Sequence, residues 1–302
     1  MHFAFRTDSS LQIGTGHVSR CLTLADALHE RGAECLFICR ELEGHLIDYI
    51  RYRGFEIYTL PKVDENVAFE TDLAHASLLG IDWSTDAQQT LRLLSEIKID
   101  WLIVDHYALD YRWELAMRPV CKRMMVIDDL ADRRHDCDLL LDQNHGSSAE
   151  RYAGLVPAKC AQLYGPEFAL LNPIYAQRRA EQSIRSGKIE RALIYFGGVT
   201  DPINLTGIAL RAFQTSELKK IELDIVVGSS YEHTTELEAI AAARGRTCIH
   251  SQLPDLSELM VRADLAIGAG GATTWERCCL GLPSIVISIA ENQRPACEAL
   301  AV

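Results

Sequence analysis

Short apolar runs alternate with helical patterns along the whole chain. HFAFR (2–6) predicts a strand. Val18, Cys21, Leu22, Ala25 and Leu28 then recur at three- and four-residue spacing, which places them on one helix face. ECLFICR (34–40) predicts a second strand and 44–53 a helix. FEIYTL (55–60), DWLIVDHY (100–107), RMMVIDDL (123–130) and CDLLLDQN (137–144) continue the series. Continuous apolar strands separated by helices indicate a parallel sheet covered on both faces. The pattern restarts at RALIYFGGVT (191–200) and runs through IELDIVVGSS (221–230), TCIHSQL (247–253), LAIGAGG (265–271) and PSIVISIA (283–290). Between the halves, 172–188 is polar and charged and reads as a linker. The expected architecture is α/β, with two Rossmann-like doubly wound domains spanning 1–172 and 173–302. Ligands of such sheets bind at the carboxyl ends of the strands, and two domains in tandem place the site in the cleft where they face each other. The chain stops soon after a helix begins at Glu291, so its second domain reads as short at the C-terminus.

Composition narrows the function. The formal charge is −12 with no run of Lys and Arg, which argues against a nucleic-acid partner. No apolar run reaches the ~18 residues of a membrane helix, and no basic-then-apolar leader opens the chain, so no membrane partner is expected. The ten cysteines form no C-x-x-C pair, and several lie in apolar runs. They read as reduced thiols of a cytoplasmic protein rather than as a zinc site. The sequence does not specify an oligomeric state.

The chemistry-bearing residues cluster at the predicted strand ends. After the first strand, TDSSLQIGTG (7–16) carries Gly14 and Gly16, which let the backbone turn and approach a ligand. His17 follows at the helix N-terminus, where the dipole disfavours an imidazolium. A neutral imidazole is what a general base requires. Asp8 either orients this histidine or holds the loop. Asp105, His106 and Tyr107 end another strand, with Tyr107 as a candidate substrate contact. Asp128 and Asp129 end a third, but adjacent strand residues point to opposite faces, which disfavours a shared metal. Asn144 either donates to a sugar hydroxyl or closes a turn. In the second half, IGAGGATTWERC (267–278) runs from a strand through Gly270 and Gly271 to Thr273, Thr274 and a helix, the form of an anion site. It matches neither the P-loop nor the dinucleotide fingerprint. Glu276 either accepts from ribose hydroxyls or complements the helix dipole. Gly197 and Gly198 make a second glycine turn, and ENQ (291–293) follows the last strand. A histidine base in one half and amide and carboxylate groups in the other suit a nucleotide-sugar.

RTDSSLQIGTGHVSR, with IVDHY, DD, GGVTDPIN, GAGGATTWERCCLGLPSIVI and ENQ, resembles the hydrolases of UDP-2,4-diacetamido-2,4,6-trideoxy-β-L-altropyranose in pseudaminic acid biosynthesis. The resemblance covers nearly the whole chain. Its most specific part is D-S-S-x-x-I-G-x-G-H-x-x-R. The glycine-Thr-Thr-x-Glu segment is shared with glycosyltransferases of the GT-B fold. The resemblance implies a GT-B architecture and hydrolysis of the anomeric C–O bond of a UDP-activated deoxy-amino sugar. It implies His17 as the base that activates water, Tyr107 as the aromatic site residue, with Val104 where the family has Ile, and Asn292 as the asparagine of an N-Q motif. It implies no metal and no cofactor. A GT-B glycosyltransferase and a hydrolysing UDP-sugar 2-epimerase are the alternatives on the same fold.

Overall fold

The computed structural model describes residues 1–62, 73–185, 187–197, 201, 203–228, 231–251 and 253–301. The chain divides into two compact units, Met1–Leu170 and Leu171–Val302. The first unit runs β1 (His2–Thr7), α1 (Gly16–His29), β2 (Glu34–Arg40), α2 (Ile47–Tyr52), β3 (Glu56–Leu60), α3 (Trp83–Leu94), β4 (Ile99–Asp105), α4 (Tyr111–Met117), β5 (Cys121–Ile127), β6 (Leu139–Asp142) and β7 (Ala161–Tyr164). Among the described residues its strands pair in parallel in the order β3-β2-β1-β4-β5-β6-β7. The order reverses direction between β1 and β4, so the loops leaving these two strands diverge and open a crevice at their carboxyl ends.

Alternation along the strands sends side chains into two cores. Phe5, Phe37 and Ile103 pack with Val18, Cys21 and Leu22 of α1 on one face. Ala4, Ile38, Leu102 and Val104 pack with Ala87, Leu94 and Trp113 on the other. The strands expected from the apolar runs all form. β7 is an addition, a half-exposed edge strand whose four residues, AQLY, show too little periodicity to stand out.

The second unit runs α5 (Pro173–Glu181), β8 (Arg191–Tyr195), α6 (Leu205–Ala212), β9 (Glu222–Val227), α7 (Thr234–Arg244), β10 (Thr247–Ser251), α8 (Ser257–Arg262), β11 (Leu265–Ala269), α9 (Thr273–Cys279), β12 (Ser284–Ile287) and α10 (Arg294–Leu300). Its parallel order is β10-β9-β8-β11-β12, with the reversal between β8 and β11. The expected linker at 172–188 builds structure instead. Asn172 caps α5 by accepting from the Ile174 amide at 3.0 Å, and Pro173 occupies the first helical position. Tyr175 is buried, and the Arg185 guanidinium donates to the carbonyls of Met260, Val261, Ala263 and Leu280. The polar composition of this segment comes from caps and carbonyl contacts, which read as linker when the partners are out of sight.

A charge network lies inside the first unit. Arg6, Asp8, Arg40 and Asp86 are fully buried. Asp86 accepts from Arg6 at 2.7 and 3.2 Å, from Arg40 at 2.6 Å and from the Trp113 indole at 2.9 Å. One carboxylate thereby ties β1, β2, α3 and α4 together. Burial opposes its charge, but the two guanidinium groups outweigh that and hold it below the usual carboxylate range. Removing one member of such a cluster strands the others. Asp86→Ala should cost about 3–5 kcal/mol, read as a lower urea midpoint for the first unit. Asn172→Ala, a lost cap, should cost the second unit only about 1 kcal/mol.

Candidate active site

The loop after β1 is pinned residue by residue. Asp8 Oδ1 accepts from the Arg40 amide and forms an ion pair with Arg6 Nη1, both at 2.7 Å. Ser9 Oγ accepts from the Leu46 amide at 2.8 Å, and Ser10 Oγ from the amides of Gln12 and Ile13. Gly14 closes the turn with φ +78°, its amide donating to the Ser10 carbonyl at 2.8 Å. Gly16 begins α1, and His17 sits in its first turn. The loop's polar residues therefore hold the backbone course that delivers His17 to the crevice beside β4.

His17 meets Asp105, the last residue of β4. The imidazole Nδ1 lies 2.5 Å from Asp105 Oδ1. Arg20, one turn later on the same helix face, grips the same carboxylate with Nε at 2.6 Å to Oδ2 and Nη2 at 2.6 Å to Oδ1. Its Nη1 reaches Asp129 at 3.2 Å. Asp105 is fully buried. Burial alone would raise its pKa, but Arg20 and then His17 outweigh it and keep the carboxyl well below the usual carboxylate range. A permanent anion on Nδ1 makes that nitrogen the donor and leaves the Nε2 lone pair as the basic position.

Asp8, expected either to orient the histidine or to hold the loop, holds the loop. Its second oxygen faces His106 Nε2 at 3.3 Å. His106 Nδ1 accepts from the Ala108 amide at 3.0 Å, so the ring proton is on Nε2, and burial keeps this imidazole below its ordinary pKa. The orienting residue is Asp105. It is hard to single out among several acidic strand ends, although H-x-x-R signals that His17 and Arg20 share a helix face. Tyr107 stands edge-on to His17, with ring centroids 4.5 Å apart and planes at 83°. Asp128 and Asp129 diverge as adjacent strand-end residues should. Asp128 accepts from the Tyr152 hydroxyl at 3.0 Å and pairs with Arg133, away from Asp129. Asn144 belongs to a turn, its amide held by Asp142 at 3.0 Å. Among the described residues, no group of three or more His, Cys, Asp or Glu side chains is placed to hold a metal ion.

In the second unit the glycine turns leave β8 and β11, the strands at the reversal. Gly197 has φ +149°, a conformation that favours glycine, while Gly198 lies outside the described residues. Gly270 is packed so closely that a Cβ there would overlap Cys297 Sγ. Its amide donates to Gln293 Oε1 at 3.3 Å, and the Ile289 amide donates to the same oxygen at 3.1 Å. The ENQ segment thus folds over the turn at Gly270 and Gly271. Asn292 lies in its 3-10 turn, Glu291–Gln293. Thr273 starts α9. Thr274 is turned inward, accepting from Arg277 at 3.1 Å. Glu276 is held against the Tyr175 hydroxyl, and its Oε2 has no partner among the described residues. Burial raises its carboxyl to about 7.

No family model matches the chain. It is 28% identical over 303 residues to the UDP-2,4-diacetamido-2,4,6-trideoxy-β-L-altropyranose hydrolase of Campylobacter jejuni, an overlap that spans all of this chain and 96% of that protein. An uncharacterised protein of Methanocaldococcus jannaschii is 24% identical over 301 residues, 97% of this chain, and there the chain spans 57% of its relative. Among solved structures, MurG of Acinetobacter baumannii superposes with a TM-score of 0.59 at 15% identity, covering 99% of this chain and 83% of that one. A UDP-glucosyltransferase from Polygonum tinctorium superposes with a TM-score of 0.66 at 12% identity, covering 98% and 81%. The fold is that of the GT-B proteins, and the chain is similar over its full length to a UDP-sugar hydrolase, as its motifs implied.

Glu276 generates a pH prediction. A carboxyl with a raised folded pKa keeps its proton in the folded state after the unfolded chain has lost it. Stability is then fully present below about 4.5 and declines as pH rises through about 7. The loss should reach at most about 3 kcal/mol. Thermal unfolding between pH 5 and 8 should show this decline in the wild type and a flatter profile in Glu276→Gln.

Proposed function

We propose that this chain is a cytoplasmic enzyme of pseudaminic acid biosynthesis. It would hydrolyse UDP-2,4-diacetamido-2,4,6-trideoxy-β-L-altropyranose to UDP and the free sugar. The observation that carries the reading is the His17 Nδ1 to Asp105 Oδ1 contact of 2.5 Å at the strand reversal, in a chain similar end to end to a hydrolase of that substrate. Asp105 holds the ring in the tautomer whose Nε2 takes a proton, and Arg20 keeps Asp105 anionic so that the proton stays on the imidazole. A water deprotonated by Nε2 attacks the anomeric carbon. The bond from that carbon to the diphosphate oxygen breaks, and its electron pair leaves with UDP. His17 then returns its proton to solvent. Tyr107 lines the sugar side of the base.

The second unit takes UDP in this reading. The turns at Gly197 and at Gly270 and Gly271 let the backbone approach the diphosphate, with Thr273, Thr274 and the start of α9 beside it. Glu276 accepts from the ribose hydroxyls, which fits a buried carboxylate with an unpartnered oxygen. Asn292 joins the substrate-binding set through the N-Q motif that the chain shares with the hydrolases. The step uses protein groups alone and needs no metal. The ten free thiols suit a reducing compartment, and no helix among the described residues is long and apolar enough to cross a membrane.

UDP release from this substrate without an acceptor should proceed at an unchanged rate in EDTA. His17→Asn should lower kcat by roughly 10²–10⁴-fold, the worth of a general base, with UDP affinity retained. Asp105→Asn should also lower kcat, by roughly a hundredfold or more, because the ring loses its fixed tautomer. Release only on addition of an acceptor would make the protein a transferase, and a 2-epimeric product would make it an epimerase.

A further inference from the structure

His75 has no part in the chemistry above, yet the structure sets it in the same wall. It immediately precedes the 3-10 turn Ala76–Leu79, whose Ala76 and Leu79 are buried in the core and fix its position. Its ring centroid lies 5.6 Å from that of Tyr107 with planes at 45°, and Tyr107 in turn stands edge-on to His17. The three rings form a row: His75, Tyr107, His17. His75 is partly exposed, and among the described residues its ring nitrogens have no hydrogen-bond partner. A ring needed only for packing could be apolar. Here a polar, partly exposed ring is held by a buried anchor against an aromatic neighbour that itself packs on His17.

We propose that His75 is a sugar-binding residue that offers a ring N–H to a hydrogen-bond acceptor on the substrate, such as an acylamino carbonyl or a hydroxyl. The choice of sugar rests on the hydrolase reading, while the placement of His75 rests on the ring row. A pyranose that presents its anomeric carbon to His17 must extend over neighbouring surface, and Tyr107 and His75 are part of that surface. The contact serves binding, so it acts on the sugar and not on UDP.

The test is calorimetry in a His17→Asn background, which prevents turnover, with UDP and with UDP-2,4-diacetamido-2,4,6-trideoxy-β-L-altropyranose as probes. His75→Phe keeps a ring against Tyr107 but has no N–H, and His75→Gln keeps a donor. His75→Phe should weaken the sugar nucleotide roughly tenfold, the worth of one hydrogen bond, and leave UDP unchanged. His75→Gln should recover part of the loss. Equal sugar-nucleotide affinities with and without the His75→Phe substitution would reduce the residue to packing and overturn the proposal. So would an equal loss for UDP, or a sugar nucleotide that binds no tighter than UDP in the parent. If the wild type releases no UDP while the His75 effect on affinity persists, the hydrolase reading fails and this one stands.

Discussion

A carboxylate without water must be paired, and Asp105 is such a carboxylate at the end of a central strand. Its two oxygens are claimed by His17 and Arg20, three residues apart on one face of α1. That pairing fixes more than charge. It docks the first turn of α1 onto the end of β4, sets the rotation of the imidazole, and turns Nε2 away from the carboxylate. The loop between β1 and α1 must then bridge a fixed gap, and Asp8, Ser9, Ser10 and Gly14 each supply one of the hydrogen bonds that let it do so.

Beneath this site lies a second buried ionic cluster built on Asp86, Arg6 and Arg40, which shares Asp8 with the loop. Burying so many charges is rarely the most stabilising choice, since well-packed apolar groups often serve as well. What the clusters provide is directional: each charge admits few geometries for its partners. A strand end fixed in this way can hold an imidazole in register, which an apolar contact would do less exactingly. The two units repeat one arrangement, with functional loops leaving the pair of strands where the sheet order reverses. The loop leaving β1 leads to His17, and β4 ends in the Asp105 carboxylate that meets it. β8 and β11 carry the glycine turns.

Much of the fold could be read from the chain because apolar runs buried on both faces leave a strong signal. β1, β2, β4 and β5 are such runs. β7 is not, being half-exposed at a sheet edge, and the 172–188 segment misled because caps and a carbonyl-binding arginine look polar without their partners. The site was partly legible. His17 stood out because glycines, a strand end and a helix start converge on it. Asp105 did not, because Asp8, Asp128 and Asp142 also end strands, and only the tertiary pairing of β1 with β4 brings one of them to the imidazole. Gly270 reads in sequence as an open amide, whereas Gln293 accepts its proton, a contact across 23 residues. His75 gave no local signal, since a lone histidine in a turn looks the same whether or not an aromatic ring of the site lies beside it.

The proposed hydrolysis stands or falls on water, directed by the His17–Asp105 pair, attacking the anomeric carbon. The most direct measurement is turnover of UDP-2,4-diacetamido-2,4,6-trideoxy-β-L-altropyranose in H₂¹⁸O, followed by mass analysis of both products. Attack at carbon should put one heavy oxygen in the free sugar and none in UDP. Label in the UDP diphosphate would place the attack on phosphorus and contradict it.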